Sequence, residues 1–215
     1  MKQRLSRYKH AWILLYAFIY LPWFCFLEKT VTSDYYIIHT WLDDWIPFNE
    51  YFVIPYLLWF PYVGGVILYF FLHSKEDYYR LCTCLFTGMT LSLAICTVFH
   101  NGTDLRVAVD PDRNLCARLV AFLHQADTST NVFPSIHVFN SIMVHTAVVK
   151  SQRFRRGTRM ASLVLAVLIC LSTVFLKQHS VVDVMGGMLM AYGLYPLGYG
   201  MPYAARKKAA EKALG

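Results

Sequence analysis

Long apolar runs alternate with short polar stretches along most of the chain. A helix needs about 20 mostly apolar residues to cross a bilayer core of about 30 Å. Six runs approach that length, and they cover residues 11–27, 51–73, 81–99, 137–149, 160–176 and 181–203. The fourth is short, so we expect it to begin earlier or to continue past Lys150. The pattern predicts an all-α fold, a six-span transmembrane helical bundle whose first run, lacking a small-residue cleavage site, stays as an anchor.

The charged residues are divided unequally among the segments that connect these runs. Only 15% of the 215 residues are charged, compared with about 25% in soluble domains. Fifteen of the 20 Lys and Arg residues lie at the termini and in the second and fourth connections, whereas nine of the 13 acids lie in the other three. The positive-inside rule then predicts that both termini are cytoplasmic. This topology accounts for the net charge of +7, so no nucleic-acid partner is expected.

No linker, repeat or second domain interrupts residues 1–215, which we interpret as a single integral-membrane domain. Residues 28–50 form an outer interfacial segment, where Trp41 and Trp45 lie one helical turn apart. This spacing is typical of a short helix in the membrane interface. Lipid anchoring is the simpler role for the segment, and covering a lateral substrate entrance is the alternative. Residues 100–136 form an outer active-site loop.

The stretch HSVVD, at the start of the sixth run, places two ionisable side chains on one helix face. His179 and Asp183 are four residues apart, so their side chains can touch. A carboxylate that accepts from one ring nitrogen fixes the tautomer and makes the other nitrogen more nucleophilic. A structural pair that joins two helices is the alternative. Because an acid inside the bilayer is costly unless paired, the pattern favours a functional role.

A second histidine begins the fourth run at a matched depth. In the stretch FPSIH, Pro134 ends the outer loop and Ser135 can cap a helix with His137 in its first turn. The free N–H groups and the positive dipole end of such a helix start bind anions. The predicted topology puts both histidines on one side of the membrane. We therefore expect His137, His179 and Asp183 to face one cavity as a catalytic site.

These stretches resemble two signature motifs of the type 2 phosphatidic acid phosphatase superfamily, the integral-membrane lipid phosphatases. The family patterns are K-x6-R-P, P-S-G-H and S-R-x5-H-x3-D on a six-helix bundle. FPSIH keeps the second pattern with Ile136 in place of glycine, and STVFLKQHSVVD keeps the third with Thr173 in place of arginine. The first pattern is degenerate. We interpret Arg106 as its remnant, with Phe99 and Val107 at the lysine and proline positions.

The resemblance implies catalysis through a phosphohistidine. His179 is then the nucleophile, and Asp183 holds its other ring nitrogen. His137 protonates the departing lipid alkoxide and afterwards takes a proton from the incoming water or alcohol. The scheme needs no metal and no other cofactor.

A phosphate-binding set follows from the same comparison. Arg106 offers a planar fork suited to bidentate phosphate binding, and Ser135 lies at the helix start. Lys177 can supply a second charge from a position that differs from the family's, and a lysine extending to the membrane interface is the alternative for it.

The resemblance implies a metal-independent lipid phosphatase that acts at the outer leaflet of a bacterial cytoplasmic membrane. Its substrates are expected to be lipid phosphate esters of the phosphatidic acid, phosphatidylglycerol phosphate or polyprenyl diphosphate type, and its partners are that lipid and the bilayer. A head-group phosphotransferase similar to inositol phosphorylceramide synthases is the alternative, because a weaker anionic clamp suits a phosphodiester with one charge. Two further classes stay open: a membrane metalloprotein with His137, His179 and Asp183 as ligands, and a transporter or non-catalytic scaffold.

Overall fold

The computed structural model describes residues 8–200, which are mostly helical. A 3₁₀ helix, Lys9–Tyr16, leads directly into the first α-helix, and another, Glu50–Phe52, precedes the third. The α-helices are α1 (Ala17–Thr30), α2 (Trp41–Trp45), α3 (Val53–His73), α4 (Lys75–Val98), α5 (Leu115–Ala126), α6 (Ile136–Lys150), α7 (Arg156–Phe175) and α8 (Val181–Tyr199). Two short strands, β1 (Tyr36–Ile37) and β2 (Asn101–Gly102), pair in parallel.

The apolar runs predicted from the sequence correspond to helices of the bundle. Within residues 8–200, five helical segments are long and apolar enough to cross a membrane: Lys9–Thr30, Glu50–His73, Lys75–Val98, Arg156–Phe175 and Val181–Tyr199. The remaining run, the fourth, corresponds to α6, whose 15 residues extend only about 22 Å at 1.5 Å per residue. The all-α membrane class is therefore confirmed, whereas the count of six crossings stays a prediction. The termini, residues 1–7 and 201–215, lie outside the described residues.

Side-chain caps determine where several helices begin. Ser74 accepts from the N–H of Asp77 at the start of α4, and Asn114 accepts from the N–H of Ala117 at the start of α5. Such caps satisfy N–H groups that have no partner within the helix. Because the first turn of α4 is capped and charged, the helix starts at Lys75, six residues before the predicted apolar run.

Helix α6 lies at the centre of the bundle, where it packs against α3, α4, α7 and α8. More than half of its residues are buried, and they include the polar Asn140 and Ser141. By contrast, α1 lies at the periphery and exposes 77% of Phe18 and 65% of Ile19. A central helix in a membrane bundle can be polar, whereas a peripheral one must present apolar side chains to lipid. The position of α6 explains its weak hydropathy signal.

Two glycines allow the neighbouring helices to approach α6 closely. A Cβ atom added at Gly88 of α4 would lie 2.1 Å from Cζ of Phe139. A Cβ added at Gly187 of α8 would lie 2.6 Å from the carbonyl oxygen of Ser135. Both distances are far below van der Waals contact, so only glycine fits at these positions. The second contact sets the separation between the start of α6 and the first turns of α8.

One end of the helical bundle is covered by residues 28–50 and 100–136. The first segment contains α2, whose Trp41 and Trp45 expose 65% and 79% of their surfaces; its interfacial role stays a prediction. The second segment contains β2 and α5 in addition to irregular chain. The β1–β2 pairing joins the two segments across the top of the bundle.

Candidate active site

The turn between α7 and α8 positions His179 through backbone hydrogen bonds. The N–H groups of Gln178 and His179 both donate to the carbonyl oxygen of Thr173, at 3.0 and 3.1 Å. Ser180 begins the next helix, and its N–H donates to Oδ2 of Asp183 at 2.9 Å. The same oxygen lies 3.3 Å from Nδ1 of His179. Asp183 can therefore hold Nδ1 as the protonated nitrogen, which leaves Nε2 as the nucleophilic one.

The start of α6 brings a second imidazole to this turn. The ring centroids of His137 and His179 are 5.7 Å apart. The N–H of Ser135 donates to the carbonyl oxygen of Asp183 at 3.0 Å, so the two helix starts are joined directly by their backbones. Gly187 leaves the space for this approach. The separation of the histidines is thus set by main-chain contacts.

Aromatic rings surround the second imidazole. The centroid of His137 lies 4.5 Å from that of Tyr56 and 4.6 Å from that of Trp59, both on α3. Its Nδ1 is buried and has no hydrogen-bond partner. His137 is therefore oriented by stacking, whereas His179 is oriented by a carboxylate.

A cavity of about 470 Å³ lies beside the two imidazoles. The aromatic part of its wall comes from α1 and α3 and consists of Tyr20, Phe24, Tyr56, Trp59 and Phe60. At its edge, Leu21 and Phe60 expose 55% and 58% of their surfaces. The polar end is formed by residues 126–134 and by Gln178 and His179. An apolar cavity with a few polar groups at one end is typical of a ligand site.

The charged side chains that line the cavity are acidic. Oε2 of Glu28 accepts from Oγ1 of Thr128 at 2.6 Å, and Oε1 accepts from Nδ2 of Asn131 at 3.0 Å. Asp127 also lines the cavity; burial and the neighbouring charge of Glu28 raise the pKa of Asp127. Within residues 8–200, no Lys or Arg side chain is among the lining residues. A phosphate dianion would therefore meet few positive charges here.

Arg106, predicted to bind phosphate, lies behind the cavity and does not line it. Its guanidinium donates to the carbonyl oxygens of Asp127, Thr128 and His124, at 2.7, 2.6 and 3.4 Å. It also donates to Oε1 of Gln178 at 2.9 Å. Arg106 thus holds the outer loop against the turn that carries His179, and four of its N–H groups are engaged by the protein itself.

The other two residues of the predicted phosphate-binding set also lie outside the cavity lining. The ammonium group of Lys177 donates to the carbonyl oxygen of Asp43, and only 8% of the residue is exposed. Lys177 thus neither lines the cavity nor extends to the membrane surface. Oγ of Ser135 is buried without a hydrogen-bond partner, and the contact of this residue with the start of α8 is made by its backbone N–H.

A carboxylate that the sequence analysis missed stabilises the same turn. Asp43, 2% exposed, accepts from Oγ of Ser180 at 2.6 Å and from the N–H of Val181 at 2.8 Å. Burial alone would raise the pKa of Asp43, but these bonds and those from Thr40 outweigh it, and the pKa is lowered. The pattern T-x-x-D is recognisable as a helix start, whereas a partner 137 residues away leaves no signal in the sequence.

The assembled site therefore contains two neighbouring imidazoles, one of them held by a carboxylate. Among the residues that the structure describes, no group of three or more His, Cys, Asp or Glu side chains is placed to hold a metal ion. Histidine is a nucleophile for phosphorus when its second nitrogen is held by a carboxylate. The arrangement is suited to phosphoryl transfer.

Most of the site lies in a part of the chain that matches a known protein family. The family model of the PAP2 superfamily matches residues 82–207, which contain both histidines and Asp183. The chain belongs to the PAP2 superfamily. Membership in the PAP2 superfamily identifies an integral membrane enzyme of the phosphatase or phosphotransferase type that acts on lipid phosphates. No curated protein and no solved structure matches the chain.

Proposed function

We propose that this PAP2 superfamily member hydrolyses lipid phosphate esters through a phosphohistidine on His179. The arrangement of His179, Asp183 and His137 at the polar end of an otherwise apolar cavity supports this most strongly. Substrates of the phosphatidic acid, phosphatidylglycerol phosphate or polyprenyl diphosphate type have the matching division into a phosphorylated head and an apolar chain.

The proposed reaction has two displacements at phosphorus. Nε2 of His179 attacks phosphorus while Asp183 accepts from Nδ1, the bond between phosphorus and the oxygen of the leaving lipid breaks, and His137 gives its proton to that oxygen. In the second step His137 takes a proton from water, the water oxygen attacks phosphorus, and the N–P bond breaks. Phosphate leaves and both imidazoles return to their first state.

The cavity wall supports a lipid as the substrate. Its aromatic side chains can pack against the first carbons of an acyl or prenyl chain. The partly exposed Leu21 and Phe60 at its edge lie on α1 and α3, two helices that face lipid. A chain can then remain in the bilayer while the head group reaches His179.

A lipid head-group phosphotransferase is the second candidate, and a specific observation favours it. No Lys or Arg side chain within residues 8–200 lines the cavity, whereas the carboxylates of Glu28 and Asp127 do. A phosphodiester has one negative charge and a phosphomonoester up to two, so the diester is repelled less by these carboxylates. In this reaction an alcohol takes the place of water in the second step.

The orientation of the site follows from the proposed topology. If α6 also crosses the membrane, the bundle has six crossings and both termini lie in the cytoplasm. The positive-inside distribution then puts His137 and His179 at the outer face. A bacterial cytoplasmic membrane fits an enzyme of this kind. The basic residues near the starts of α4 and α7 then lie inside, next to anionic lipid.

The deciding experiment measures phosphate release by the purified protein in detergent. Phosphatidic acid, phosphatidylglycerol phosphate and polyprenyl diphosphate are supplied with a chelator throughout, with His179→Ala as the blank. His73→Ala is the control, because His73 lies at the other end of α3. We expect release by the wild type and by His73→Ala, none by His179→Ala, and an acid-labile phosphoryl group on the quenched wild type.

The same experiment separates the candidates. Transfer of phosphate to an added alcohol, without release to water, would select the phosphotransferase. Full phosphate release by His179→Ala would overturn both, because both depend on this nucleophile. Loss of all wild-type release on adding the chelator would overturn the metal-independent scheme.

A further inference from the structure

Gln178 is a buried amide between the turn that carries His179 and the guanidinium of Arg106. Only 3% of the residue is exposed, and it is among the residues lining the cavity. Its backbone N–H is fixed on the carbonyl of Thr173 at 3.0 Å. The side chain therefore has little freedom to turn away from the site.

The orientation of this amide is fixed by its partner. An arginine side chain can only donate hydrogen bonds, so the atom that faces the Arg106 guanidinium at 2.9 Å must be the oxygen of Gln178. The nitrogen, Nε2, points elsewhere and has no hydrogen-bond partner. A buried donor without an acceptor is destabilising, and in a cavity lining a ligand can supply the missing acceptor.

Arg106 itself is poorly placed to supply the positive charge. Four of its N–H groups are engaged by His124, Asp127, Thr128 and Gln178, and its Nε is buried without a partner. The guanidinium is also absent from the cavity lining. Its charge reaches the cavity through the groups that it polarises. Three residues that accept from Arg106 also line the cavity, Asp127, Thr128 and Gln178, and Gln178 is the one whose side chain has a buried donor without a partner.

We infer that Nε2 of Gln178 donates to a phosphoryl oxygen of the substrate during transfer to His179. Arg106 draws electron density from the amide oxygen, which strengthens the N–H groups of the same amide as donors. The pair acts as a relayed clamp that replaces the direct cations of a phosphate site. This inference rests on the proposed phosphoryl transfer and adds a binding residue to it.

The test uses two replacements of one side chain. Gln178→Glu keeps an oxygen for Arg106 to donate to and puts a second oxygen in the place of Nε2. Gln178→Met has similar length and is uncharged, but it lacks both polar atoms. Gln125→Glu is the matched control, because Gln125 is exposed on α5 and is not part of the cavity lining. Thermal denaturation in detergent, phosphate release and inhibition by vanadate are measured for each.

We expect Gln178→Glu to denature at the wild-type temperature or above, because its carboxylate pairs with Arg106. Its kcat/KM should fall by roughly 10²-fold or more, the usual loss when a donor to a transition-state oxygen is removed. Vanadate inhibition should weaken by roughly tenfold or more, since hydrogen bonds to charged acceptors are among the stronger ones. Gln178→Met should lose activity similarly, and Gln125→Glu should match the wild type.

Wild-type kcat/KM and vanadate inhibition in either folded Gln178 variant would overturn the inference and leave the proposed function intact. Loss of folding in both variants would also count against it, since the residue would then be structural. If the wild type releases no phosphate from any lipid, the proposed function fails; stabilisation of the wild type by vanadate, weakened in Gln178→Glu, would still support the binding role.

Discussion

The region that matches the PAP2 superfamily and the region before it contribute different parts of the site. Residues 82–207 supply both histidines and the carboxylate that orients one of them. Residues 8–81 supply most of the aromatic wall through α1 and α3, and also Glu28. The proposed reacting groups thus come from the part that matches the family, whereas the aromatic side chains of the cavity wall come from outside the match. We therefore predict that chemistry and substrate choice are separable by mutation.

Two buried carboxylates at the start of α8 make this comparison testable, because one comes from each region. Asp183 contacts the backbone of Ser180 and Nδ1 of His179. Asp43 contacts the side chain of Ser180 and the backbone of Val181. Both satisfy N–H groups of the same helix start, but one of them also contacts an imidazole.

The largest effect is expected for Asp183→Asn. The amide can keep the size of the carboxylate but not its charge, so it neither fixes the correct tautomer of His179 nor stabilises the ring when it becomes positive. We expect kcat to fall by roughly 10³-fold or more, as when the aspartate of a catalytic triad is replaced. Single-turnover phosphate release at saturating substrate measures it.

Asp43→Asn is the matched variant. It weakens hydrogen bonds to a buried carboxylate, so the denaturation temperature in detergent should fall, by the equivalent of about 2 kcal/mol. Activity per folded molecule should stay within a few-fold of the wild type, because Asp43 does not contact either imidazole. If both variants lost kcat equally, the division of roles between the two regions would be wrong.

A smaller effect is expected when the apolar wall is shortened. Phe24 of α1 lines the cavity, and Phe18 of the same helix is 77% exposed. Phe24→Ala should raise KM by roughly 3–10-fold with little change in kcat, since it removes contact with a part of the substrate that does not react. Phe18→Ala is the control and should change neither value. A fall in kcat alone would assign the wall to catalysis.

The smallest effect concerns the contact between the two outer segments. His39 lies 2.8 Å from Oδ1 of Asp44 and 2.9 Å from Oδ1 of Asp104. The hydrogen bond with Asp44, opposed by burial and helped by Asp104, raises the pKa of His39. Its stabilising effect is therefore complete below the unfolded pKa of about 6.5 and is lost as pH rises through the folded pKa.

The variant His39→Gln tests the direction of this pH dependence of stability. It should denature at a lower temperature than the wild type at pH 5.5 and at the same temperature well above neutral pH. The difference should correspond to about 1 kcal/mol or less, because both ion pairs are exposed. His73→Gln is the control and should show no such pH dependence. A larger difference at high pH would contradict the assignment.

Much of the helical framework could be predicted from the sequence because hydropathy acts locally. The apolar run at 160–176 and helix α7 differ by only a few residues, and α3 ends at the predicted His73. The two histidines could be placed together because each lies at a helix start on the same predicted side. Their 5.7 Å separation agrees with that expectation, although their roles stay predictions.

The charge distribution of the cavity could not be predicted, because it depends on contacts between distant parts of the chain. Glu28 meets Thr128 across 100 positions, and no local pattern marks such a partner. The family pattern suggested that Arg106 binds phosphate directly. In the structure its guanidinium donates to three carbonyl oxygens of the outer loop. The orientation of a long side chain follows from its acceptors, which the sequence does not identify.

Gly187 shows how a residue without a side chain can determine a reaction distance. The hydrogen that it carries in place of a methyl group leaves room for the Ser135 carbonyl, which a Cβ would approach to 2.6 Å. A mutational scan that ranks positions by contact with substrate would not identify Gly187. A scan that ranks them by loss of turnover would rank Gly187 with the two histidines, because one added carbon atom would force the two helix starts apart.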